Sequence, residues 1–271
     1  MKSGKVPVTV ETNKLIVGKD GHVGRLILNQ PEKRNAIGYE MWQGIGDAME
    51  AFADDADIRA VIVSGAGGKA FSAGADISEF KEHRSSPEAR ERYDAAMRRA
   101  FDKLYNLPRI TIAMIDGVCV GGGAEVAMDC DILVASDRSR FGITPARLGL
   151  GYSLPDIERL VRHLGPKRAK EVLATARLFS ADEALAMGWV NRVVPADSLE
   201  DEVSSLAEQI TTNAPLTLAA SKLIVNEATK VPSERDIGLC RSLVERCYDS
   251  EDYVEGQQAF AEKRKPNFSG R

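Results

Sequence analysis

The stretch "IDGVCVGGGAEVAMDCDI", residues 115–132, places three consecutive glycines directly before an alanine and a glutamate. An apolar run typical of a strand precedes the glycines, and a short helix is predicted after them. Glycines at such a junction let backbone N–H groups approach a ligand closely, and the start of a helix adds positive partial charge. The junction therefore predicts an anion-binding site with Glu125 beside it.

Three anions fit this junction: a phosphate, a carboxylate, or an oxyanion that exists only during a reaction. A dinucleotide-binding fingerprint needs the pattern G-x-G-x-x-G, whereas the sequence from Gly121 is G-G-G-A-E-V. A P-loop needs G-K-S or G-K-T after its glycines. An alternative without any ligand is that the glycines allow close packing and that Glu125 complements the helix dipole.

A second glycine-bearing loop, "KAFSAGADI" (residues 69–77), follows the strand-like run "RAVIVSG" (residues 59–65). Parallel topology would bring the N–H group of Ala75 opposite that of Gly122. Two such donors on one carbonyl oxygen stabilise an enolate or a tetrahedral oxyanion, each by about 3 to 4 kcal/mol. Glu125 would then stand beside that carbonyl as a proton-transfer group, with the helix dipole and burial acting on its pKa in opposite directions.

Strands and amphipathic helices alternate in the first part of the chain. "VGRLILN" (residues 23–29) is predicted as a strand, and apolar residues from Trp42 to Phe52 recur at helical spacing after it. The same unit returns with the strand at residues 59–65 and a helix that opens at Pro87. This alternation predicts an α/β fold with a parallel sheet for residues 1–198.

Residues 199–271 have a different character and are predicted to be all-helical. Pro215 and Pro232 separate the predicted helices, which cover residues 199–213, 215–230, 234–249 and 251–262. We expect this region to pack on its own core or on a neighbouring subunit.

Composition excludes several classes of function. The 36 Lys and Arg residues against 40 Asp and Glu residues give a formal charge of -4, which offers no basic field for nucleic acid or an anionic membrane. The cysteines form no C-x-x-C pair and the three histidines have no ligand-like spacing, so we expect reduced thiols and no metal. No apolar run has the length of a membrane span, and residues 1–14 carry no targeting pattern. We expect a cytoplasmic protein.

Four stretches together resemble the enoyl-CoA hydratase/isomerase family, the crotonase superfamily. They are "PEKRNAI" (residues 31–37), "AFSAGADI" (residues 70–77), the glycine stretch itself and "FGITPARLGLG" (residues 141–151). The resemblance implies a crotonase-like spiral of repeated strand-strand-helix turns, formed by residues 1–198 and holding the acyl-CoA site. It also implies that residues 199–271 form a helical trimerisation region, giving a homotrimer or a dimer of trimers.

The resemblance further implies roles for individual residues. The substrate would be a coenzyme A thioester, with no separate cofactor. The donors to the thioester oxygen would be Ala75 and Gly122, and the acid/base residue would be Glu125. Lys263 would reach the CoA phosphates, although a solvated basic tail explains that residue equally well. The other positions implied to contact CoA are Arg34, Ala36, Ala73, Ala75, Asp76, Ile77, Gly121, Gly122 and Pro145.

One departure from the family pattern bears on the reaction. Hydratases of the family carry a second Glu in a P-E-x-x-L-G motif, and this sequence has Ala146 at that position. Hydration by two carboxylates needs one group to activate water and another to deliver a proton to the α-carbon. Tyr152, Asp156 and Glu158 are the local candidates for a substitute, with Tyr152 foremost, and each also has an ordinary structural explanation.

Three functions therefore stay open. The first is an enoyl-CoA hydratase-type lyase, or an isomerase, that works with a single Glu. The second is a malonyl-type decarboxylase, because "TPARLGLGY" (residues 144–152) and residues 248–268 look most like the methylmalonyl-CoA decarboxylase branch, although that branch has His where this chain has Ala75. The third is a noncatalytic acyl-CoA-binding homologue. The acyl group itself is not predicted.

Overall fold

A computed structural model describes residues 12–83 and 85–271, so the first eleven residues of the predicted core lie outside the described residues. The predicted α/β fold is confirmed. The strands are β1 (Leu15–Asp20), β2 (Val23–Leu28), β3 (Ala60–Gly65), β4 (Ala70–Ser72), β5 (Ile110–Ile115), β6 (Val118–Val120), β7 (Ile132–Ser136), β8 (Arg140–Gly142), β9 (Phe179–Ser180) and β10 (Arg192–Val194). The α-helices are α1 (Tyr39–Asp54), α2 (Phe80–His83), α3 (Pro87–Tyr105), α4 (Gly122–Met128), α5 (Leu154–Thr175), α6 (Ala181–Ala186), α7 (Leu199–Thr211), α8 (Pro215–Thr229), α9 (Ile237–Tyr248) and α10 (Glu251–Glu262).

Two sheets divide the strands between them. The larger has six strands in the order β1-β2-β3-β5-β7-β10, all parallel except the β1–β2 pair. The smaller has four strands in the order β4-β6-β8-β9, of which only the β8–β9 pair is antiparallel. Strand β3 is almost wholly buried because elements cover both faces of the larger sheet, which explains its continuous apolar run.

The chain repeats one unit three times. A strand of the larger sheet is followed by a short strand of the smaller sheet and then by helix, as β3-β4-α3, β5-β6-α4 and β7-β8-α5. Because the three long strands are neighbours and the three short strands are neighbours, the loops that follow the short strands are stacked side by side. The spiral of strand-strand-helix turns thereby brings the two glycine-bearing loops together.

The C-terminal helices pack against the spiral. Helix α7 covers one face of the larger sheet, where Val203 and Ala207 contact Ile62 and Val134 in a second apolar cluster. On α8, the buried Lys222 ammonium lies 2.8 Å from the Asp131 carboxylate. The helix predicted from residue 234 begins instead at Ile237, because Pro232 opens a separate 3-10 turn and the Asp236 side chain caps α9.

Helix α5 was not predicted from the sequence. Its Pro166 and the non-helical Gly165 interrupt the helical pattern, and the structure shows a kink there. Among the helices of residues 12–83 and 85–271, none has both the length and the apolar character that a membrane crossing requires.

Candidate active site

The loops after β4 and β6 approach each other at glycines. A Cβ atom added to Gly74 would lie 3.0 Å from the carbonyl oxygen of Val120 and 3.5 Å from the amide nitrogen of Gly122. Such an approach leaves no room for a side chain, and Gly74 also has a φ of +95°. The glycines therefore permit one backbone to lie directly against the other.

The amide of Ala75 is directed away from the neighbouring chain segment. An isolated parallel bridge joins Ile37 to Ala75 through the bonds from Ile37 N to Gly74 O (2.7 Å) and from Asp76 N to Ile37 O (3.0 Å). Because successive peptide groups of an extended segment point to opposite sides, the Ala75 N–H group points away from Ile37. The backbone of Gly122 lies close to this amide.

The amide of Gly122 is the first N–H group of helix α4, so it has no acceptor within the helix. A Cβ atom on Gly122 would lie 3.8 Å from the Ala75 nitrogen and 3.3 Å from Trp42 Cζ2. Gly121 before it has φ +52° and ψ -132°, and a Cβ atom on Gly123 would collide with Ser72. The three glycines thus allow an unusual backbone conformation and close packing. They also allow the amides of Ala75 and Gly122 to lie close together.

Glu125 lies on the first turn of α4 and is 4% exposed. Its Oε1 atom has no hydrogen-bond partner among the described residues. The pKa of this carboxyl is raised to about 8. Burial is the largest cause, Asp156 and Asp129 act in the same direction, and Arg159 opposes them. Burial therefore acts on this pKa in the direction expected from the sequence, and the side chain is mainly protonated at pH 7.

A buried ion pair lies behind Glu125. The Nε atom of Arg159 is 2.8 Å from both carboxylate oxygens of Asp129, and the Arg159 guanidinium stacks 4.0 Å from the Phe101 ring centre. Burial raises the pKa of Asp129 to about 6, against the opposing effect of Arg159. This pair fixes Arg159 of α5 against α4.

Ala75, Gly122 and Glu125 line one cavity of about 470 Å³. Part of its wall is apolar and is formed by Trp42, Phe80, Met97, Phe101 and Leu150. The indole N–H of Trp42 donates to the buried Tyr93 hydroxyl at 2.9 Å, which fixes the ring that lies against Gly122. A thioester held by the two amides would have its acyl chain beside this wall.

The cavity also has charged walls. Asp94, Arg98 and Asp102 line it from α3, and Asp156 and Arg159 line it from α5. Helical spacing had identified α3 as amphipathic, but it did not indicate that the cavity would open between α3 and α5. Neither Asp129 nor Arg159 had an expected role in the site: Asp129 belongs to the glycine stretch but lies beyond its glycines and Glu125, and Arg159 belongs to none of the quoted stretches.

The three proposed substitutes for the second Glu lie in different places. Tyr152 and Asp156 line the cavity, whereas Glu158 is exposed and does not. The Tyr152 hydroxyl lies 3.9 Å from the position of a Cβ atom on Gly121, and burial raises the pKa of this phenol. Ala146 is exposed within a 3-10 turn and does not line the cavity.

The side chain of Asp76 is fully engaged with protein groups. It accepts from Lys33 Nζ at 2.7 Å and from the backbone and hydroxyl of Ser78. Asp76 is 4% exposed, and burial by itself would raise the pKa of its carboxyl. The hydrogen bonds from Lys33 and Ser78 outweigh burial, so this pKa is lowered. Its carboxylate therefore ties the loop at residues 31–37 to the loop of Ala75, a contact that the sequence did not predict.

The other predicted CoA positions fall into two groups. The backbone of Ala73 donates to Arg34 O at 2.9 Å, so Arg34, Ala36 and Ala73 belong to the same pair of joined loops. Ile77 is 55% exposed next to this junction. Pro145 is buried at the start of a 3-10 turn, and Lys263 is exposed at the end of α10; neither residue lines the cavity.

Within the described residues, no group of three or more His, Cys, Asp or Glu side chains is arranged to hold a metal ion. The buried Cys119 and Cys130 are free thiols, and burial raises the pKa of both.

Comparison with known proteins shows similarity along almost the whole chain. A family model described as enoyl-CoA hydratase/isomerase matches residues 18–271. Crotonyl-CoA hydratase of Syntrophomonas wolfei is 35% identical over 254 residues, which is 94% of this chain and 97% of that protein. Carnitinyl-CoA dehydratase of Proteus mirabilis is 37% identical over 255 residues, or 93% and 96% of the two chains.

Solved structures show the same fold. An enoyl-CoA hydratase/carnithine racemase from Magnetospirillum magneticum superposes with a TM-score of 0.90 at 36% identity, covering 96% of this chain and 97% of the other. An enoyl-CoA hydratase from Bacillus anthracis gives a TM-score of 0.89 at 30% identity, with 96% and 100% covered.

Proposed function

The chain belongs to the enoyl-CoA hydratase/isomerase family, and from this premise we propose that it is an enoyl-CoA hydratase-type lyase. Its substrate is the coenzyme A thioester of an α,β-unsaturated acid, to which it adds water. The observation that carries the proposal is the meeting of the Ala75 and Gly122 amides in one cavity with the buried Glu125. No separate cofactor takes part.

The two amides bind the thioester oxygen. When water adds to the β-carbon, the π electrons move toward this oxygen and form an enolate. Two preorganised N–H donors stabilise the enolate more than the ground-state thioester, and each contributes about 3 to 4 kcal/mol to lowering the barrier. Neither donor changes its protonation during the reaction.

Glu125 exchanges the proton at the α-carbon. Its pKa of about 8 keeps it mainly protonated at neutral pH, as a group must be to donate a proton to the enolate carbon. The unpartnered Oε1 atom leaves this carboxyl without competing protein contacts. Tyr152 remains a neutral phenol because burial raises its pKa, so its hydroxyl serves as a hydrogen-bond partner of the substrate or of water.

The joined loops bind the CoA moiety. Arg34, Ala36, Ala73, Asp76 and Ile77 lie on the two segments that the Asp76 carboxylate holds together. Asp76 contributes through its backbone, since its side chain is engaged. CoA makes further contacts with Gly121 and Pro145. Lys263 binds the CoA phosphates.

The active molecule is a homotrimer or a dimer of trimers, with residues 199–271 as the oligomerisation region beside the core of residues 1–198. Large apolar side chains exposed on α9 and α10 support this arrangement, among them Tyr248 (61%), Val254 (63%) and Phe260 (88%). The molar mass in solution tests it. A cytoplasmic location stays a prediction from the sequence.

Hydration is tested with crotonyl-CoA. Addition of water removes the conjugated enone, so its ultraviolet absorbance falls as 3-hydroxybutyryl-CoA forms. We expect turnover by the wild-type protein. Tight binding of the thioester without turnover would instead support the noncatalytic homologue.

A malonyl-type decarboxylase is the second candidate, and Ala146 is the observation that favours it. Loss of CO2 from methylmalonyl-CoA or ethylmalonyl-CoA forms the same thioester enolate without an activated water. The amides of Ala75 and Gly122 would serve this reaction equally. Release of CO2 from these substrates, in the absence of crotonyl-CoA hydration, would select this function.

A further inference from the structure

The cavity contains a carboxylate that can replace the one missing at Ala146. We propose, as an extension that rests on the proposed hydration, that Asp156 is the second acid–base residue of this site. It accepts a proton from the attacking water while Glu125 protonates the α-carbon. The group missing at one position of the chain is thus supplied ten residues later, at the start of α5.

Asp156 and Glu125 face the same cavity from two packed helices. Helix α4 packs against α5, and Glu125 and Asp156 both line the cavity. Of the charged groups that act on the pKa of Glu125, Asp156 has the largest effect. In the proposed arrangement, an acyl group held in this cavity has Glu125 near its α-carbon and Asp156 near its β-carbon.

The hydrogen bonds of Asp156 hold its side chain but leave one oxygen available. The backbone N–H and hydroxyl of Ser153 donate to Oδ2 at 3.2 and 2.6 Å. The other oxygen, Oδ1, lies 3.6 Å from Nη1 of Arg159, which has no hydrogen-bond partner among the described residues. Among the described residues no donor makes a hydrogen bond to Oδ1, so this oxygen can accept one from a water molecule in the cavity.

Other groups of the cavity are less suited to accept a proton from water. Glu125 already carries one at neutral pH, and Tyr152 is a neutral phenol. The Asp129 oxygens both accept from Arg159, and Asp129 does not line the cavity.

The acidic residues of α3 are also placed less well. Asp94 and Asp102 line the cavity together with Arg98, but neither carboxylate is among the groups that act on the pKa of Glu125. Among the cavity's acidic residues, Asp156 is thus the one whose charge acts on Glu125. Asp102 is also exposed, which would leave a proton acceptor open to bulk solvent.

The proton transfers balance. One O–H bond of water breaks and its proton moves to the Asp156 carboxylate, while the oxygen forms a bond to the β-carbon. The π electrons pass to the thioester oxygen, and Glu125 then gives its proton to the α-carbon. Asp156 ends protonated and Glu125 ionised, and exchange with solvent restores both groups.

The test separates water activation from enolate formation. Hydration of crotonyl-CoA needs both carboxyl groups, whereas exchange of the α-protons of butyryl-CoA with D2O needs only Glu125 and the two amides. For Asp156→Asn, whose amide oxygen still accepts from Ser153, we expect hydration to fall about a hundredfold or more and exchange to stay near the wild-type rate. Glu125→Gln should lose both activities.

Glu158→Gln provides the matched control, since it removes a carboxylate from the same turn of α5 that is exposed and does not line the cavity. We expect this variant to retain hydration within about tenfold of wild type, below the range of general acid–base catalysis. Unchanged hydration in Asp156→Asn would overturn the proposal, and so would parallel loss of hydration and exchange. If the wild-type protein exchanges α-protons but does not hydrate crotonyl-CoA, the proposed hydratase function is wrong. The role of Asp156 in activating water is then wrong as well.

Discussion

The amide nitrogen of Ala75 lies 3.8 Å from the position that a Cβ atom on Gly122 would occupy. The two residues are far apart in the chain, and they meet because β4 and β6 are adjacent parallel strands whose loops leave the small sheet side by side. Together with the buried Glu125, this contact supports a site for enolate chemistry. The expected consequences of substitution follow from the same geometry.

Replacing Gly122 by Pro tests the second oxyanion donor. Proline is accepted at the first position of a helix but has no N–H group. We expect kcat to fall about a hundredfold to a thousandfold, with similar losses in hydration and α-proton exchange. The control is Gly18→Ala, because a Cβ atom there would meet no atom within 4 Å. Wild-type activity in Gly122→Pro, with its fold verified by circular dichroism, would rule out this donor.

Replacing Glu125 by Gln keeps the shape of the side chain but removes its acid–base function. We expect kcat for hydration to fall about a hundredfold or more, and the dissociation constant for crotonyl-CoA to change little. Steady-state kinetics combined with calorimetric binding measures the two effects separately. A variant that hydrates at the wild-type rate would assign the proton transfer to another group.

Glu125 also makes the free energy of unfolding depend on pH. Its pKa is about 8 in the folded protein and 4.5 in an ordinary environment, so the folded state holds an extra proton between these values. The contribution of Glu125 to stability therefore falls as pH rises from about 4.5 to 8, by roughly 1.4 kcal/mol per pH unit at most. Relative to wild type, Glu125→Gln should gain stability across this window, as measured by urea unfolding at several pH values.

That comparison isolates Glu125 from other groups that titrate in the same window. The pKa of Asp129 is raised to about 6. Its effect on the free energy of unfolding therefore has the same sign in the wild type and in Glu125→Gln. A constant difference in stability between wild type and Glu125→Gln from pH 5 to pH 8 would contradict the raised pKa.

The Arg159–Asp129 pair should contribute strongly to stability. Arg159→Ala leaves a buried carboxylate without its partner, so we expect a loss of roughly 3 to 5 kcal/mol in the free energy of unfolding. Arg98→Ala is the control, because Arg98 and its partner Glu91 are 51% and 69% exposed and their pair contributes less than about 1 kcal/mol. Equal losses in the two variants would show that burial of the pair does not matter.

The sequence predicted the parts of the fold that have long periodic segments. Strands β2 and β3 and helices α1, α3 and α7 lie close to their predicted positions, because each buries a regular apolar pattern. Helix α10 also has its predicted bounds, although it buries only Asp252 and Ala259. Strands β4, β6 and β9 of the smaller sheet have two or three residues each, which is too short for any periodicity to be recognised. Strand β8 lies within "SRFGITP" (residues 139–145), which is strand-like in sequence. Helix α5 was missed because Gly165 and Pro166 interrupt its pattern.

The candidate site was predictable in the two glycine loops and, less fully, in the stretch that follows Ala146. Ala75, Gly122 and Glu125 are marked by local sequence and by the resemblance to a family. Arg159 and Trp42 reach the cavity through the tertiary packing of α5 and α1, which leaves no local signature. Tyr152 and Asp156 are candidates from the sequence because they follow Ala146, but only the structure shows that both line the cavity while Glu158 does not. The exposed position of Ala146 outside the cavity likewise depends on the turn that contains it.

The most direct test of the central claim is a crystal structure of the protein with butyryl-CoA, a saturated thioester that cannot be hydrated. We predict that the thioester oxygen lies about 2.7 to 3.1 Å from the amide nitrogens of both Ala75 and Gly122, with Glu125 beside the α-carbon. A thioester oxygen that contacts only one of these nitrogens, or that lies elsewhere in the cavity, would contradict the shared oxyanion site.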